Sequence, residues 1–404
     1  MRLTMKLSSL SLTLLVMACL PRLSHAAELK LTSSTQYLWY QDYISDKTQN
    51  DVAQYLRLNV TRLDKEGKAS VFAYGRASQQ VTSDEGLQGR LYYLYFSYRD
   101  AFNDHLDLRL GRTYVHSAAV AGTIDGLFLD LKNLGPLGVT GYGGREVLFL
   151  NKAEVGGGNV MSGASVYLDA PKSTHLEVSY GNKYRNSDLA RENIGLDYST
   201  TPFDIFNTYG RVKYDTIGDH FNELLFGAKL VPIADLSLKV EYYQSRPTFD
   251  NNSIYTIFNV DKYREVSAGA EYAFTSNYRL SLKYAKEFFG EGAEANVYDL
   301  GLIARPVKNL SIGGSYEKRD GFSGRLSGFR LNAGYDIEKA KIQAGIDYDD
   351  FTRQDSRGDT AKKYWTGADY QFNKLIGLTA RVEWDVNYRD SDSWQGFTAV
   401  NINY

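Results

Sequence analysis

The sequence predicts an all-β protein, a transmembrane antiparallel up-and-down β-barrel of about 22 strands, with 18–24 compatible with the spacing. Three observations predict it. Apolar and polar residues alternate over long, evenly spaced runs along the whole chain. The composition has 32 tyrosines and 36 glycines but only 7 prolines. The chain ends inside an alternating run, on an aromatic residue, Tyr404. A side chain changes face at every residue of a strand, so each run has one apolar and one polar side.

The first 26 residues are set aside as a leader. Arg2 and Lys6 form a basic start, Leu7–Leu20 is an apolar run too short to span a bilayer, and Ser24-His25-Ala26 offers the small residues of a cleavage site. Cleavage is expected between Ala26 and Ala27, leaving residues 27–404 as a single barrel domain. An uncleaved anchor lacks a longer apolar run, and a lipoprotein reading at Cys19 is poorly served by Met17. Cys19 is the only cysteine, so the mature chain is expected to have no disulfide, thiolate metal site or attached c-type haem. Losing Arg2, Lys6 and Arg22 takes the formal charge from -2 to -5, which gives no nucleic-acid footprint. The mean hydropathy looks soluble, as it does for barrels in which only alternate residues touch lipid.

Taken in order, Leu29–Tyr40 and the run through Leu56, Leu58 and Val60 form a first hairpin, with the turn Asp64–Lys68 after it. Leu91–Phe96 is apolar on both sides, so its faces cannot be assigned from alternation. Leu106, Leu108 and Leu110 pair with Leu127, Leu129 and Leu131. Val139–Glu146 and Val160–Leu168 follow, with Gly156-Gly157-Gly158 read as a flexible loop between them; no helix pattern or Lys-Ser/Thr makes it a phosphate loop. Later strands alternate more cleanly, down to Leu378, Ala380, Val382, Trp384, Val386 and then Thr398, Val400, Ile402, Tyr404. Every second connection is short: Asp64–Lys68, Asn133–Gly138, Asp169–Ser173, Ser199–Phe203, Pro232–Asp235, Thr275–Asn277, Pro306–Asn309, Glu338–Ala340 and Asn373–Gly377. These are the expected periplasmic turns, opposite modest outer loops, the longest being Pro247–Asp261. Prolines fall in these connections and never inside a strand, as ladder bonding requires. Aromatic pairs such as Tyr272 with Phe274 and Tyr370 with Phe372 lie where interfacial girdles belong.

Two alternatives separate on the polar face. If the apolar face met a protein core, the charges would meet water outside; if it met lipid, they would line a lumen. Length, even spacing and the terminal strand favour the lumen. Its expected lining is Arg57, Asp107, Arg109, Asp130, Lys132, Arg145, Arg211, Glu223, Lys229, Lys239, Glu241, Glu265, Glu271, Arg279, Lys283, Asp299, Arg305, Arg330, Asp347, Asp369, Arg381, Glu383 and Asp385. The signs balance, so cross-strand pairing is favoured over ion selection for most of them. The last strand is expected to close against Leu29–Tyr40, because a spanning sheet leaves no edge in lipid.

The end of the chain, with Val400, Ile402 and Tyr404, resembles the assembly signal of Gram-negative outer-membrane β-barrels, and the barrel resemblance covers essentially the whole mature chain. Leu108-Arg109-Leu110-Gly111-Arg112-Thr113 with Asp125-Gly126-Leu127-Phe128-Leu129 resembles a hairpin of porins of the alginate-export and related types, where a glutamine is usual in place of Thr113. The resemblance implies an integral outer-membrane protein, exported through its leader, surrounded by outer-membrane lipid and inserted by the barrel-assembly machinery. It implies a non-enzymatic channel for small solutes or ions, without cofactor. With no plug domain and short loops, little in the sequence would constrict so wide a lumen. A second reading follows, a barrel sheath housing a periplasmic or lumenal partner such as a multihaem cytochrome, although the cysteine pair frequent in such sheaths is missing. Two weaker readings are a barrel hydrolase and an adhesive barrel. His105, His116, His175 and His220 show no metal spacing, and the adhesive reading rests only on Arg357-Gly358-Asp359.

Overall fold

The structure is a computed structural model that describes residues 27–42, 47–82, 86–149, 153–171, 173–247, 261–322, 324–352, 358–387 and 392–404, with backbone alone for 153–158 and 358. The expected leader through Ala26, most of the expected Pro247–Asp261 loop, and Arg357 lie outside the described residues.

Twenty-two strands run in chain order. They are β1 Glu28–Asp42, β2 Lys47–Thr61, β3 Ala69–Gln80, β4 Gln88–Asp100, β5 Leu106–His116, β6 Ala121–Leu134, β7 Leu137–Phe149 and β8 Ala153–Ala170. Next come β9 Thr174–Arg185, β10 Asp188–Phe203, β11 Phe206–Asp215, β12 His220–Ile233, β13 Leu236–Ser245, β14 Tyr263–Thr275 and β15 Tyr278–Phe288. The last are β16 Glu294–Ala304, β17 Leu310–Gly321, β18 Gly324–Ile337, β19 Ala340–Thr352, β20 Gly358–Gln371, β21 Ile376–Val386 and β22 Ser393–Asn403. Each pairs antiparallel with the next, and β22 returns to β1, from Thr32 opposite Asn403 to Tyr40 opposite Gln395. Leu31 and Tyr404 exchange two backbone hydrogen bonds of 2.8 Å at the seam. The sheet is a closed up-and-down barrel with no free edge.

Contacts between strands two apart identify the inside. Such strands stand about 9.5 Å apart and approach each other only on the concave side. Lys183 of β9 meets Glu146 of β7 at 2.9 Å, Tyr167 of β8 donates to Asp130 of β6 at 2.9 Å, and Tyr209 of β11 donates to Glu241 of β13 at 2.8 Å. The alternate residues, among them Leu110, Val166, Val240 and Leu331, are exposed on the convex side. In water each would forgo roughly 1.5–3 kcal/mol of burial, so this face is built for lipid. Aromatic pairs cap it at both ends. Tyr272–Phe274 and Tyr370–Phe372 stand at the end carrying the termini, both with centroids 4.8 Å apart. At the far end, Trp384 and Trp394 stack, and both indoles donate to Asp392 at 2.7 and 2.8 Å.

Short turns join the strands at the terminal end as expected, with one correction: Ser199–Phe203 is not a turn but the end of β10, and the connection is Asp204-Ile205. Pro202 and Pro232 accordingly lie in the last residues of β10 and β12, where the ladder register is irregular, and not in connections. The far-end connections are not uniformly longer. β9 and β10 are joined by only Asn186 and Ser187, both at positive φ, 52° and 72°. That is the backbone a two-residue hairpin needs to match strand twist. Two further expectations are corrected. Gly156–Gly158 is not a loop; it lies inside β8, where the register against β7 shifts between Val155–Val147 and Val160–Arg145. A glycine run tolerates such an irregularity because it has no side chain to place. Arg145 lies on the outer-face side of β7, opposite Asp125 and in phase with Val139. The stretch Gly141-Tyr142-Gly143-Gly144 offers no alternation from which its phase could be counted.

Candidate functional site: the lumenal hairpin and the inner wall

The other expected lining residues fall on the inner side of their strands, with Arg305 just past the end of β16. Most of their charges meet opposite charges. Arg211 pairs with Asp197 at 2.7 Å, Lys239 with Glu241 at 2.6 Å, and Lys283 with Glu265 at 3.1 Å. Arg381 and Lys363 share Glu383 at 2.7 and 3.1 Å, and Arg279 reaches Glu271 at 3.3 Å. Near the terminal end, Lys132 bridges Asp100 and Asp107 at 2.7 and 2.9 Å.

Away from the Lys132 cluster, the wall from β2 to β6 is aromatic. Tyr55 of β2 stacks on Tyr74 of β3 at 6.3 Å, Tyr74 on Tyr92 of β4 at 4.9 Å, and Phe72 on Tyr95 at 5.2 Å. Tyr92 is an extra residue in β4, since Tyr74 opposes Tyr93 while Gly75 opposes Leu91. This explains why Leu91–Phe96 is apolar on both faces: the inner wall is aromatic here. Arg57 lies over Tyr74 at 4.8 Å, Arg76 over Tyr55 at 5.7 Å, and Arg109 over Phe128 at 3.8 Å. Among the described residues, none of these three guanidinium groups makes a direct ion pair with a carboxylate.

One element leaves the wall, contrary to the expectation that little would constrict the lumen. β5 pairs with β4 only from Leu108 to Arg112, and β6 with β7 only as far as Ile124 opposite Glu146. Beyond these points β5 and β6 stay paired with each other to His116–Ala121 and turn inward. The bend needs glycine at Gly111, where φ is +122° and a Cβ would stand 2.4 Å from the Leu94 carbonyl. It needs glycine again at Gly126, where a Cβ would stand 2.1 Å from the Gly143 carbonyl. Arg112 braces the corner, donating to both carboxylate oxygens of Asp125 at 2.7 and 2.8 Å and to the Leu91 carbonyl at 3.0 Å. Above the corner, the Tyr92 and Phe149 rings meet at 5.9 Å and bring β4 against β7.

Burial draws the hairpin in. Val115, Val120 and Ile124 pack with Tyr142 of β7 and Met161 of β8 in a buried apolar cluster, against which Phe128 also packs. Sequestering three aliphatic side chains contributes roughly 1.5–3 kcal/mol each. The tip, Ser117–Val120, lies across to β10, where a Cβ on Gly195 would stand 2.3 Å from the Ala119 nitrogen. Lys183 and Glu146 pair close to it with both side chains largely buried. Sequence reasoning missed this site. The available signals were the small apolar run Ala118-Ala119-Val120-Ala121 in a connection expected to be polar, and glycines at matching heights in three strands. His116 sits at the hairpin end beside Tyr114, whereas His105, His175 and His220 hydrogen-bond locally to Lys132, Asp169 and Gly218.

No family model and no curated protein matches this chain. Solved structures do. OpdO from Pseudomonas aeruginosa is 11% identical, with 95% of this chain and 98% of that one covered, at a TM-score of 0.51. OccAB2 from Acinetobacter baumannii is 10% identical over 94% and 98%, at 0.51. OpdQ from Pseudomonas aeruginosa is 10% identical over the same shares, at 0.50. The chain shares the fold of these proteins. At these identities the likeness extends to the fold alone, and the β5–β6 hairpin and the inner wall have to be read from this chain's own residues.

Proposed function

We propose that this protein is a channel of the Gram-negative outer membrane, passing small solutes or ions through a lumen narrowed by the β5–β6 hairpin. The observation that carries this reading is the hairpin itself. A barrel of this strand number encloses more space than its inward side chains fill. Here a segment of the wall turns inward and buries an apolar cluster to stay there. An inward constriction fits a channel that must limit what crosses. It fits a sheath less well, since the hairpin occupies room that a lumenal partner would need. In this reading the turns at the terminal end face the periplasm.

The test is planar-bilayer recording of the purified mature chain. The expected result is a stable, moderate conductance from the protein alone. Absence of current, very large erratic openings with haem absorbance in the native preparation, or solubility without detergent would contradict the reading.

A further inference from the structure

We propose that Glu177 and Ser179 of β9 are positioning residues that latch the hairpin tip to the wall and so fix the width of the pore. The proposal rests on the channel reading above. Its basis is a complete account of the tip's backbone donors. The Ser117 N–H donates to the Val120 carbonyl at 2.8 Å, and the Val120 N–H donates to Ser117 Oγ at 3.2 Å. Those two bonds close the turn on itself. The two amides between them point outward from the turn. The Ala118 N–H donates to Glu177 Oε1 at 2.9 Å, and the Ala119 N–H donates to Ser179 Oγ at 2.9 Å.

Both acceptors come from one strand, two residues apart and therefore on the same face. Neither is part of a ladder: β6 stops pairing with β7 at Ile124, so no strand hydrogen bond ties the tip to β9. Ser117, Ala118, Ala119 and Ser179 are all buried, at 3%, 3%, 0% and 2% exposure. Water therefore has little access to the Ala119 amide while the tip is docked, and the Ala118 amide lies beneath the half-buried Glu177. A buried amide that loses its acceptor is penalised, so the tip's resting position depends on these two side chains. The apolar cluster holds the shaft of the hairpin, and Glu177 with Ser179 hold its end.

The test uses the full mature chain in membranes and two independent readouts. Hydrogen exchange of the 117–120 amides should be slow in the parent protein. It should accelerate by about tenfold or more in a Glu177→Ala/Ser179→Ala double variant. Glu177→Gln keeps an acceptor oxygen and should exchange like the parent. Single-channel recordings of the double variant should show larger, noisier currents. Should it fail to fold, Ala119→Cys with Ser179→Cys replaces it: the oxidised form should conduct like the parent, and the reduced form should show the larger, noisier current. Unchanged exchange in the folded double variant, or faster exchange with unchanged current in an active channel, overturns the proposal. Absence of current from the parent, with exchange responding as described, would instead remove the channel reading and leave the latch standing.

Discussion

Arg57, Arg76 and Arg109 sit over aromatic rings without a carboxylate in ion-pair reach, whereas Arg211 pairs with Asp197, and Arg381, although also over the Trp365 ring, pairs with Glu383. A cation–π contact is worth about 0.5–2 kcal/mol and holds the guanidinium in place, but it leaves the positive charge uncancelled. This stretch of wall therefore presents guanidinium groups that no carboxylate grips directly. Changing Arg57, Arg76 and Arg109 to Gln together should lower the anion preference of the channel, read as a shift of reversal potential in a salt gradient. Breaking the Arg211–Asp197 pair with Arg211→Gln should shift it toward cations only slightly, because that charge is already neutralised. At Gly195, any side chain has to occupy the place of the tip's backbone. Gly195→Val should displace the tip and raise conductance while leaving the barrel folded, as judged by heat-dependent gel migration.

At the scale of the element, the β5–β6 hairpin is a strand pair that exchanges wall hydrogen bonds for lumenal packing. Ile124 is fully buried in the cluster that rewards this exchange. Ile124→Asn should cost the docked hairpin roughly 2–4 kcal/mol, from lost packing and an amide buried without partners. The expected readout is faster proteolysis near residues 115–124 without loss of the barrel. This element also marks where the sequence stopped being legible. Strands such as β21 could be read residue by residue, since Leu378, Ala380, Val382 and Trp384 alternate without a break. Alternation fails wherever a face stops being uniformly lipid or uniformly lumen. In β4 the inner wall is aromatic, so Leu91–Phe96 gave no phase. In β7 glycines replace the informative side chains, so Arg145 was placed on the wrong face. The inward bend depends on Gly111, Gly126 and Gly144 meeting across three strands, and spacing along one strand carries no trace of that meeting.

For the whole molecule, closure was the most legible property, because it follows from a general requirement: a sheet in lipid has no edge to spare. The seam found between β1 and β22 is the one expected from the first and last alternating runs. Tyr404 adds two backbone bonds to it, each contributing about 0.5–1.5 kcal/mol. Deleting Tyr404 should lower the fraction of chains that reach the heat-modifiable barrel form more than a one-residue deletion in the 246–262 connection does. Strand number was legible from spacing, but pore width was not, since width depends on one hairpin leaving the wall. The account is tested most directly by polymer exclusion in planar bilayers, sizing the pore of the parent protein and of Ile124→Asn with polyethylene glycols of increasing mass. The parent should exclude polymers that the variant admits, by a clear step in cutoff size. An identical cutoff in both would mean that the β5–β6 hairpin does not set the width of the lumen.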